Sequence, residues 1–499
     1  MPAAASNPDS ALYDAAALRA VETRAAADLG DAFELMRRAG AAAWRELLRR
    51  WPSAQRILVV CGPGNNGGDG YVMAAHAQAA GRQVRVLRLD AHAPRSELAQ
   101  RAAAEYEKAG GRSEIFDGAA LSADVVVDAL FGIGLSRAPE RDAAALIEAI
   151  NTQSAPVLAL DVPSGVDADR GSAHAPAVVA DGTIEFIARK IGLSTGAALD
   201  CAGERALADL QLSVDTFAVA PVAHAVQATD LARWLRPRAR DSHKGRNGRV
   251  LCIGGDRGSG GAIVLCAQAA LRSGAGLVEV ATRGEHVTAL LSRLPEAMPS
   301  EVGDATRLRD ALQRADIVAL GPGLGQGDWG RGLYAAALAS ERPLLLDADA
   351  LNLLAQQPQR LRADSVLTPH PGEAARLLGI DTAHVQSDRL AAAHALLDRY
   401  GCAIVLKGAG TVVVAPDSPA HVIGAGNPGM AVGGMGDVLS GTVAALRAQG
   451  MDAFDAAVCG ALLHSAAADA AAREGGERGL LPTDLMPWLR RLANPESVR

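Results

Sequence analysis

The chain has 499 residues, of which 49% are hydrophobic and only 3% are aromatic, so its cores must be built mainly from Ala, Leu and Val. The formal net charge is −7 and no cluster of basic residues occurs, which argues against nucleic acid or an anionic membrane as the main partner. The length fits about three average domains or two large α/β domains.

Cysteine usage and the absence of apolar targeting segments indicate where the protein works. Six scattered cysteines without a CxxC pair are typical of a reducing compartment, so we expect a cytoplasmic protein. The N-terminal residues lack the charged start and apolar core of a signal peptide, and no window is long and apolar enough for a membrane span. We also expect a homo-oligomer.

The N-terminal half begins with a helical pattern over residues 11–51 and continues with the buried strand Arg56–Cys61. The loop GPGNNGGDG follows, and the pattern predicts a helix starting near Tyr71. Such a strand, glycine loop and helix cradle phosphates in α/β folds. The glycines also satisfy GxGxxG, with Asp90 near the position of a ribose-binding acid, so a plain NAD dehydrogenase is one interpretation. Asp69 inside the loop argues against it, because a bare carboxylate repels a pyrophosphate.

Polar residues follow the next two predicted strands. Asp128 ends VVVD, Asp161 ends VLALD, and Ser164 comes just after it. Because ligands of open α/β sheets bind at the carboxyl ends of strands, these side chains should converge with Asn66. The oxygens of Asn66, Asp128 and Ser164 are hard ligands that suit a group-one or group-two cation better than zinc.

The motifs GNNGGDG, VVDALFGIG and DVPSGVDADRG together resemble the NAD(P)H-hydrate epimerase domain. The resemblance implies a potassium ion held by Asn66, Asp128 and Ser164, and places Asp161 at the reacting ring as a catalytic residue. It also implies contacts with the dinucleotide hydrate from Asn65, Asn66, Gly67, Gly68, Asp69, Gly132, Ile133, Gly134, Leu135, Ser136, Arg137 and Ala138. Lys190 is a weaker candidate for an acid–base or phosphate role, and a solvated lysine is an equally good interpretation.

Residues 196–230 lose the alternation of strands and helices, and the small residues around Pro221 are typical of a linker. The resemblance implies that the epimerase unit ends near Phe217. We place the domain boundary at 225, with one domain over 1–225 and a second over 226–499.

The second half contains a predicted strand, Arg249–Ile253, a glycine loop and a predicted helix over 262–273. No GxxxxGK[ST] pattern occurs, which excludes a P-loop. The stretch NPGMAVGGMGDVLSG puts glycines before an apolar helix, and helix N-terminal N–H groups bind anions. Asp437 lies at the start of that helix, where a carboxylate can take a proton from a hydroxyl during phosphorylation.

The motifs HKGxxG, GPGLG, TPHPGE, KGAGT and NPGMAxGGxGDVLSG are similar to those of the ribokinase-like NAD(P)H-hydrate dehydratase. The resemblance implies that the hydrate is bound by Ala262, Gly323, His370 and the catalytic Asp437. It implies that the adenine nucleotide is bound by Lys407, Gly408, Ala409, Gly410, Thr411 and Gly436. Val432 and Met435 replace hydroxyl residues that are usual in the family, which removes potential phosphate contacts.

The two resemblances imply a Rossmann-like three-layer domain followed by a ribokinase-like α/β domain. They imply an enzyme that interconverts the R and S hydrates of NADH and NADPH and restores the S hydrate at the expense of ADP with Mg2+. The sequence leaves ADP or ATP as donor open. One alternative is a ribokinase-like kinase of a vitamin intermediate, and another makes the N-terminal half a binding module without catalysis.

Overall fold

The computed structural model describes residues 10–135, 137–213, 216–304 and 308–495, and the chain divides into two compact units, 1–224 and 225–499. The strands up to the boundary are β1 Ala11–Tyr13, β2 Arg56–Cys61, β3 Gln83–Arg88, β4 Ser113–Ile115, β5 Val125–Ala129, β6 Val157–Leu160, β7 Gly182–Phe186, β8 Arg189–Lys190, β9 Glu204–Ala208 and β10 Ala223–Val226. The helices of the first unit are α1 Ala15–Leu29, α2 Ala32–Arg50, α3 Asn65–Ala79, α4 Glu97–Lys108, α5 Asp142–Thr152 and α6 Ala198–Cys201.

Seven strands of the first unit form one parallel sheet in the order β4-β3-β2-β5-β6-β7-β9. The central strands β5, β6 and β7 are buried along their whole length, as expected where helices cover both faces of a parallel sheet. The carboxyl ends of β2, β5 and β6 therefore open onto one edge, and the glycine loop follows β2 there. The predicted Rossmann-like class is confirmed.

Three local predictions for the first unit are wrong. Helix α3 begins at Asn65 and not near Tyr71, because glycines without Cβ atoms let the first turn form inside the loop. A Cβ on Gly67, for example, would lie 2.0 Å from the Gly62 carbonyl oxygen. Residues 11–13 form a strand and not a helix, since Tyr13 pairs with Lys190 in the parallel β1–β8 ladder. The stretch 196–230 contains α6, β9 and β10, so regular structure continues where its loss was predicted, although residues 217–222 around Pro221 form no helix or strand.

The second unit has strands β11 Arg249–Ile253, β12 Leu277–Thr282, β13 Met298–Glu301, β14 Ile317–Leu320, β15 Leu344–Leu346, β16 Val366–Leu367, β17 Ala403–Leu406, β18 Val412–Val414 and β19 Ala420–Ile423. Its helices are α7 Leu231–Trp234, α8 Gly260–Arg272, α9 Gly284–Arg293, α10 Arg309–Arg314, α11 Asp328–Leu338, α12 Asp349–Gln356, α13 Pro371–Leu378, α14 Thr382–Ser387, α15 Arg389–Tyr400, α16 Met435–Ala448, α17 Ala453–Gly475 and α18 Leu485–Leu492.

These strands follow the order β13-β12-β11-β14-β15-β16-β17-β18-β19, parallel through β17 and antiparallel beyond it. The core on one face is built from α8, α16 and α17, which are rich in Ala and Gly. A Cβ on Gly441 of α16 would lie 2.0 Å from the Cys266 carbonyl oxygen of α8, so the two helices pack at backbone distance. None of the helices in the described ranges is long and apolar enough to cross a membrane.

Candidate functional site

The first unit buries an uncompensated carboxylate, Asp128, near the end of β5. Its side chain is fully buried and accepts hydrogen bonds from the Leu130 N–H (3.1 Å), the Ser164 hydroxyl (2.7 Å) and the Ser164 N–H (2.8 Å). Burial raises the pKa of Asp128 to about 6, against the opposing effect of these hydrogen bonds. No cation of the described residues is among the groups that shift this pKa.

Asn66 completes this cluster from the first turn of α3. Its amide nitrogen donates to the Phe131 carbonyl (2.9 Å), and the Phe131 N–H donates to the Ser164 hydroxyl (2.8 Å). The Asn66 side-chain oxygen is buried without a hydrogen-bond partner among the described residues. The structure thus brings Asn66, Asp128 and Ser164 together. An orphaned amide oxygen and an unmatched carboxylate fit a monovalent cation with oxygen ligands.

Asp161 follows β6 and carries the second charged feature of this unit. Its backbone has φ 67°, a left-handed conformation that a non-glycine residue rarely adopts and that is common at functional sites. The Phe186 N–H donates to its carboxylate at 3.2 Å, and the Lys190 ammonium forms an ion pair with the same oxygen. Lys190 is fully buried and also donates to the carbonyls of Phe186 (2.7 Å) and Ala188 (3.2 Å). The solvated interpretation of Lys190 is therefore wrong.

Two further carboxyl groups lie in the field of this ion pair. Burial and the charge of Asp161 raise the pKa of Glu22 above its ordinary value. Burial, Asp161 and Glu22 raise the pKa of Asp69 further. Lys190 opposes both shifts, but one ammonium cannot neutralise three carboxylates. Glu22 could not be predicted from the sequence, because α1 carries several charged residues and nothing local separates Glu22 from them.

The expected hydrate-binding residues form two segments at this edge, the first turns of α3 and the loop after β5. A Cβ on Gly132 would lie 3.2 Å from Asn66 Cβ and 3.6 Å from an Asp161 carboxylate oxygen, so Gly132 lines both features. The Arg19 guanidinium reaches the Ile133 carbonyl at 3.4 Å, which sets α1 against this loop. Asn65 accepts a bond from Ser96 (2.7 Å). Gly67 and Gly68 are buried, Leu135 is half-buried, Gly134, Arg137 and Ala138 are exposed, and Ser136 lies outside the described residues.

In the second unit, Asp437 is the third residue of α16. The helix starts after Gly434, whose φ of 98° only glycine adopts readily, and Gly434 offers no side chain to cap the first-turn N–H groups. Burial and the charges of Asp347 and Glu373 raise the pKa of Asp437 to about 7, although Lys407 opposes the shift. A carboxylate with this pKa can both accept and hold a proton near neutral pH.

Lys407, just after β17, is the cation beneath the start of α16. Its ammonium lies 2.7 Å from an Asp347 oxygen and 3.7 Å from a Glu373 oxygen. Burial alone lowers the pKa of Lys407, but Asp347 and Glu373 outweigh it and raise the pKa above its ordinary value. A Cβ on Gly436 would lie 3.2 Å from the Lys407 nitrogen, so the ammonium faces the first turn of α16.

His370 caps helix α13 and is not merely held in an extended loop. The His370 Nδ1 atom accepts hydrogen bonds from the backbone N–H groups of Gly372 (3.0 Å) and Glu373 (3.4 Å). The backbone N–H of His370 donates to the Glu373 carboxylate (2.8 Å). Nε2 lies 3.5 Å from the other Glu373 oxygen, and half of the side chain is exposed. Burial and nearby Lys407 lower the pKa of His370, so the ring is neutral at pH 7.

The other expected residues of this unit form two groups. Ala262 and Gly323 are neighbours, since a Cβ on Gly323 would lie 3.3 Å from the Ala262 Cβ. Arg389 holds the start of the loop of Lys407, Gly408, Ala409, Gly410 and Thr411. It was not among the residues expected from the sequence. The buried Arg389 guanidinium donates to the carbonyls of Leu406 (3.2 Å) and Lys407 (3.1 Å). Its only signal in the sequence is an arginine at the start of a predicted helix.

Met435 and Val432, which replace hydroxyl residues usual in the family, have different surroundings. Met435 is buried against the hydrophobic core, whereas the Val432 side chain is exposed. In the described residues, no group of three or more His, Cys, Asp or Glu side chains is arranged to hold a metal ion. The phosphate contacts available at α16 are therefore backbone N–H groups and the Lys407 ammonium.

Comparison with known proteins agrees with the two-unit arrangement. A family model described as NAD(P)H-hydrate dehydratase matches residues 250–491, and one described as YjeF-related protein N-terminus matches residues 32–192. The bifunctional NAD(P)H-hydrate repair enzyme Nnr of Escherichia coli (strain K12) is 46% identical over 96% of this chain and 93% of its own length. A bifunctional NAD(P)H-hydrate repair enzyme of Leishmania braziliensis is 40% identical over 97% and 93%.

Among solved structures, an ADP/ATP-dependent NAD(P)H-hydrate dehydratase from Bacillus subtilis, co-crystallised with ATP and Mg2+, is similar to the second unit's fold. It shares 30% identity and a TM-score of 0.50, covering 53% of this chain and 96% of the bacterial one. A ribokinase-like superfamily protein from Enterococcus faecalis gives the same TM-score of 0.50 at 30% identity. The ribokinase-like class predicted for the second half is confirmed.

Proposed function

The chain belongs to the family of bifunctional NAD(P)H-hydrate repair enzymes, and on that premise we propose that residues 1–225 carry the epimerase and residues 226–499 the dehydratase. The enzyme interconverts the R and S hydrates of NADH and NADPH and converts the S hydrate back to the reduced coenzyme. The ADP consumed yields AMP and phosphate. The vitamin-kinase alternative leaves the first unit without a task, and the full-length relatives favour repair.

Asp437 is the proposed base of the dehydratase. Hydroxide is a poor leaving group, and phosphorylation turns the hydrate oxygen into a good one. Asp437 takes the hydroxyl proton while that oxygen bonds to the β-phosphorus of ADP and the bond to the α-phosphate oxygen breaks, releasing AMP. The ring nitrogen's lone pair then expels phosphate and leaves an iminium. Loss of a proton from the adjacent ring carbon to the departing phosphate restores the dihydropyridine. The observation that carries this role is a pKa of about 7 at the first turn of α16.

The start of α16 supplies the anion site for the transferred group. We assign the transferred phosphoryl to the backbone N–H groups of residues 433–436, where each well-placed donor contributes about 3 kcal/mol to the transition state. The loop of Lys407, Gly408, Ala409, Gly410 and Thr411, with Gly436, binds the adenine nucleotide, which arrives as its Mg2+ complex. Ala262, Gly323 and the neutral His370 hold the hydrate beside Asp437.

In the first unit, Asp161 is the proposed catalytic residue of the epimerase. Its ion pair with Lys190 and its left-handed backbone fix the carboxylate at the strand end. The hydrate is held by two glycine-containing segments. One is the start of α3, with Asn65, Asn66, Gly67, Gly68 and Asp69, and the other comprises Gly132, Ile133, Gly134, Leu135, Ser136, Arg137 and Ala138.

A potassium ion belongs to this epimerase site. Asn66, Asp128 and Ser164 would hold it, and the orphaned Asn66 oxygen and the unmatched Asp128 carboxylate support this assignment. When bound, the ion offsets negative charge near the dinucleotide phosphates. A homo-oligomeric state and a cytoplasmic location stay predictions.

The deciding experiment is turnover of the purified S hydrate with ADP and, separately, with ATP, followed by mass of both nucleotide and coenzyme products. We expect reduced coenzyme, phosphate and AMP from ADP. The R hydrate is then tested with a catalytic amount of the same enzyme, and complete conversion requires the epimerase. A stable phosphorylated product in place of the coenzyme would establish a kinase instead.

A further inference from the structure

Asp347 lies directly after β15 and is almost fully buried, at 1% exposure. One carboxylate oxygen bonds the Lys407 ammonium at 2.7 Å, and the other accepts from the Ser440 hydroxyl at 2.9 Å. A Cβ on Gly436 would lie 3.3 Å from Asp347 and 3.2 Å from the Lys407 nitrogen. This ion pair therefore sits immediately beneath the first turn of α16. None of the roles assigned above includes Asp347.

We propose that Asp347 is a positioning residue of the phosphoryl-transfer centre, which fixes the Lys407 ammonium against Gly436 and keeps a permanent negative charge beside Asp437. This inference rests on the proposed dehydratase function. Lys407 has four flexible carbons, and a free ammonium would spread over many positions. Held at Gly436, the cation adds its charge to the backbone N–H groups that we assign to the phosphoryl oxygens.

The charges around Asp437 decide how strongly Asp347 acts. From β15 and α13 come the carboxylates of Asp347 and Glu373, and after β17 comes Lys407, the one cation among the groups that shift the Asp437 pKa. His464 of α17 is neutral at pH 7, because burial and Lys407 lower its pKa to about 4. From α8, Cys266 stays a thiol because its pKa is raised. Two anions against one cation leave Asp437 with a surplus negative neighbour.

The hydrogen bond from the Ser440 hydroxyl attaches Asp347 to helix α16. Ser440 lies one turn after Asp437 on α16, so Asp347 is tied both to the helix that carries the base and to the lysine after β17. Asp347 itself stays ionised, since burial is outweighed by Lys407 and the Ser440 hydrogen bond, which lower its pKa. A purely structural ion pair would stabilise the fold but would not set the protonation of Asp437.

The test compares the pH dependence of AMP formation from ADP and the S hydrate in the wild type, Asp347→Asn and Lys407→Met. We expect the apparent pKa of the acid limb of the kcat/KM profile to fall by about one unit or more in Asp347→Asn, because a negative charge near Asp437 is removed. In Lys407→Met this apparent pKa should rise, because the cation that opposes the carboxylates is removed. The KM for ADP should also rise at least about tenfold in Asp347→Asn as Lys407 loses its anchor.

Two further variants keep the test decisive. Ser440→Ala removes a hydrogen bond but no charge and should leave the acid limb in place, and Asp347→Glu should restore it because the charge returns. The results for Ser440→Ala and Asp347→Glu remain interpretable even if Asp347→Asn folds poorly. Thermal unfolding of each variant measures its folding. Equal acid limbs in wild type, Asp347→Asn and Lys407→Met overturn the inference. A wild type that forms no AMP overturns the proposed function instead.

Discussion

Replacing Asp437 with Asn should abolish the dehydratase and at the same time stabilise the second unit. Burial next to Asp347 and Glu373 raises the pKa of Asp437 from 3.8 to about 7, a difference of roughly three units. Since one unit corresponds to about 1.4 kcal/mol, keeping this carboxylate ionised in the folded state costs up to about 4 kcal/mol. Partial exposure and the favourable helix N-terminus reduce the expected gain to about 2 kcal/mol.

The sign of the pH dependence follows from the raised pKa. The folded state holds the Asp437 proton more tightly than the unfolded chain does, so this group's contribution to stability is fully present below pH 3.8. It is lost as pH rises through about 7. Asn mimics the protonated carboxyl and does not ionise. The stabilisation of Asp437→Asn should therefore be complete at pH 8 and should vanish toward pH 4.

Urea unfolding measures this effect through the fluorescence of Trp234, Trp329 and Trp488 of the second unit, in a background where Trp44 and Trp51 of the first unit are replaced by Phe. Asp241→Asn is the matched control, since the Asp241 side chain is 85% exposed and its neutralisation should change the midpoint little. A variant less stable than the wild type at pH 8, or one equally stabilised at pH 4, would refute the electrostatic argument. Normal AMP formation by Asp437→Asn would refute the assignment of the base.

Three further variants test the first unit. Asp161→Ala should leave the S hydrate repairable and the R hydrate stranded, and equal repair of both epimers, followed by chromatography, would remove Asp161 from the site. Asp128→Asn should weaken potassium activation of the epimerase at least about tenfold, measured by titrating KCl at constant ionic strength with NaCl as control. Gly67→Ala places a Cβ 2.0 Å from the Gly62 carbonyl oxygen and should destabilise this unit by about 2 kcal/mol or more. It should lose R-hydrate repair while ADP-dependent repair of the S hydrate continues.

The strand ends could be predicted from the sequence because their signal is local. Short runs of buried aliphatic residues such as Arg56–Cys61 predict strands, and parallel strands bring their carboxyl ends to one edge. That geometry alone is enough to expect Asn66, Asp128 and Ser164 near one another, as they are in the structure.

Helix starts and burial of charged residues could not be predicted in the same way. The glycine-rich run before Tyr71 indicates a loop by propensity, yet tertiary packing against the Gly62 carbonyl makes its second half helical. No sequence signal separates a solvated Lys190 from a buried one, because its partner Asp161 is distant in the sequence and follows a different strand. Glu22 could not be predicted either, because the charges that act on it, Asp161 and Lys190, are distant in the sequence.

Both units share one electrostatic arrangement, in which carboxyl groups outnumber the ammonium group beside them. In each unit one lysine forms a close ion pair with one carboxylate, while the other carboxyl groups gain negative neighbours and lose water. An ordinary aspartate is ionised at pH 7 and is too weak a base to take an alcohol proton effectively. A surplus of carboxyls over ammonium groups raises the pKa of at least one acid in each unit toward the working pH. The groups concerned are Lys190 with Asp161, Asp69 and Glu22 in the first unit, and Lys407 with Asp347, Glu373 and Asp437 in the second.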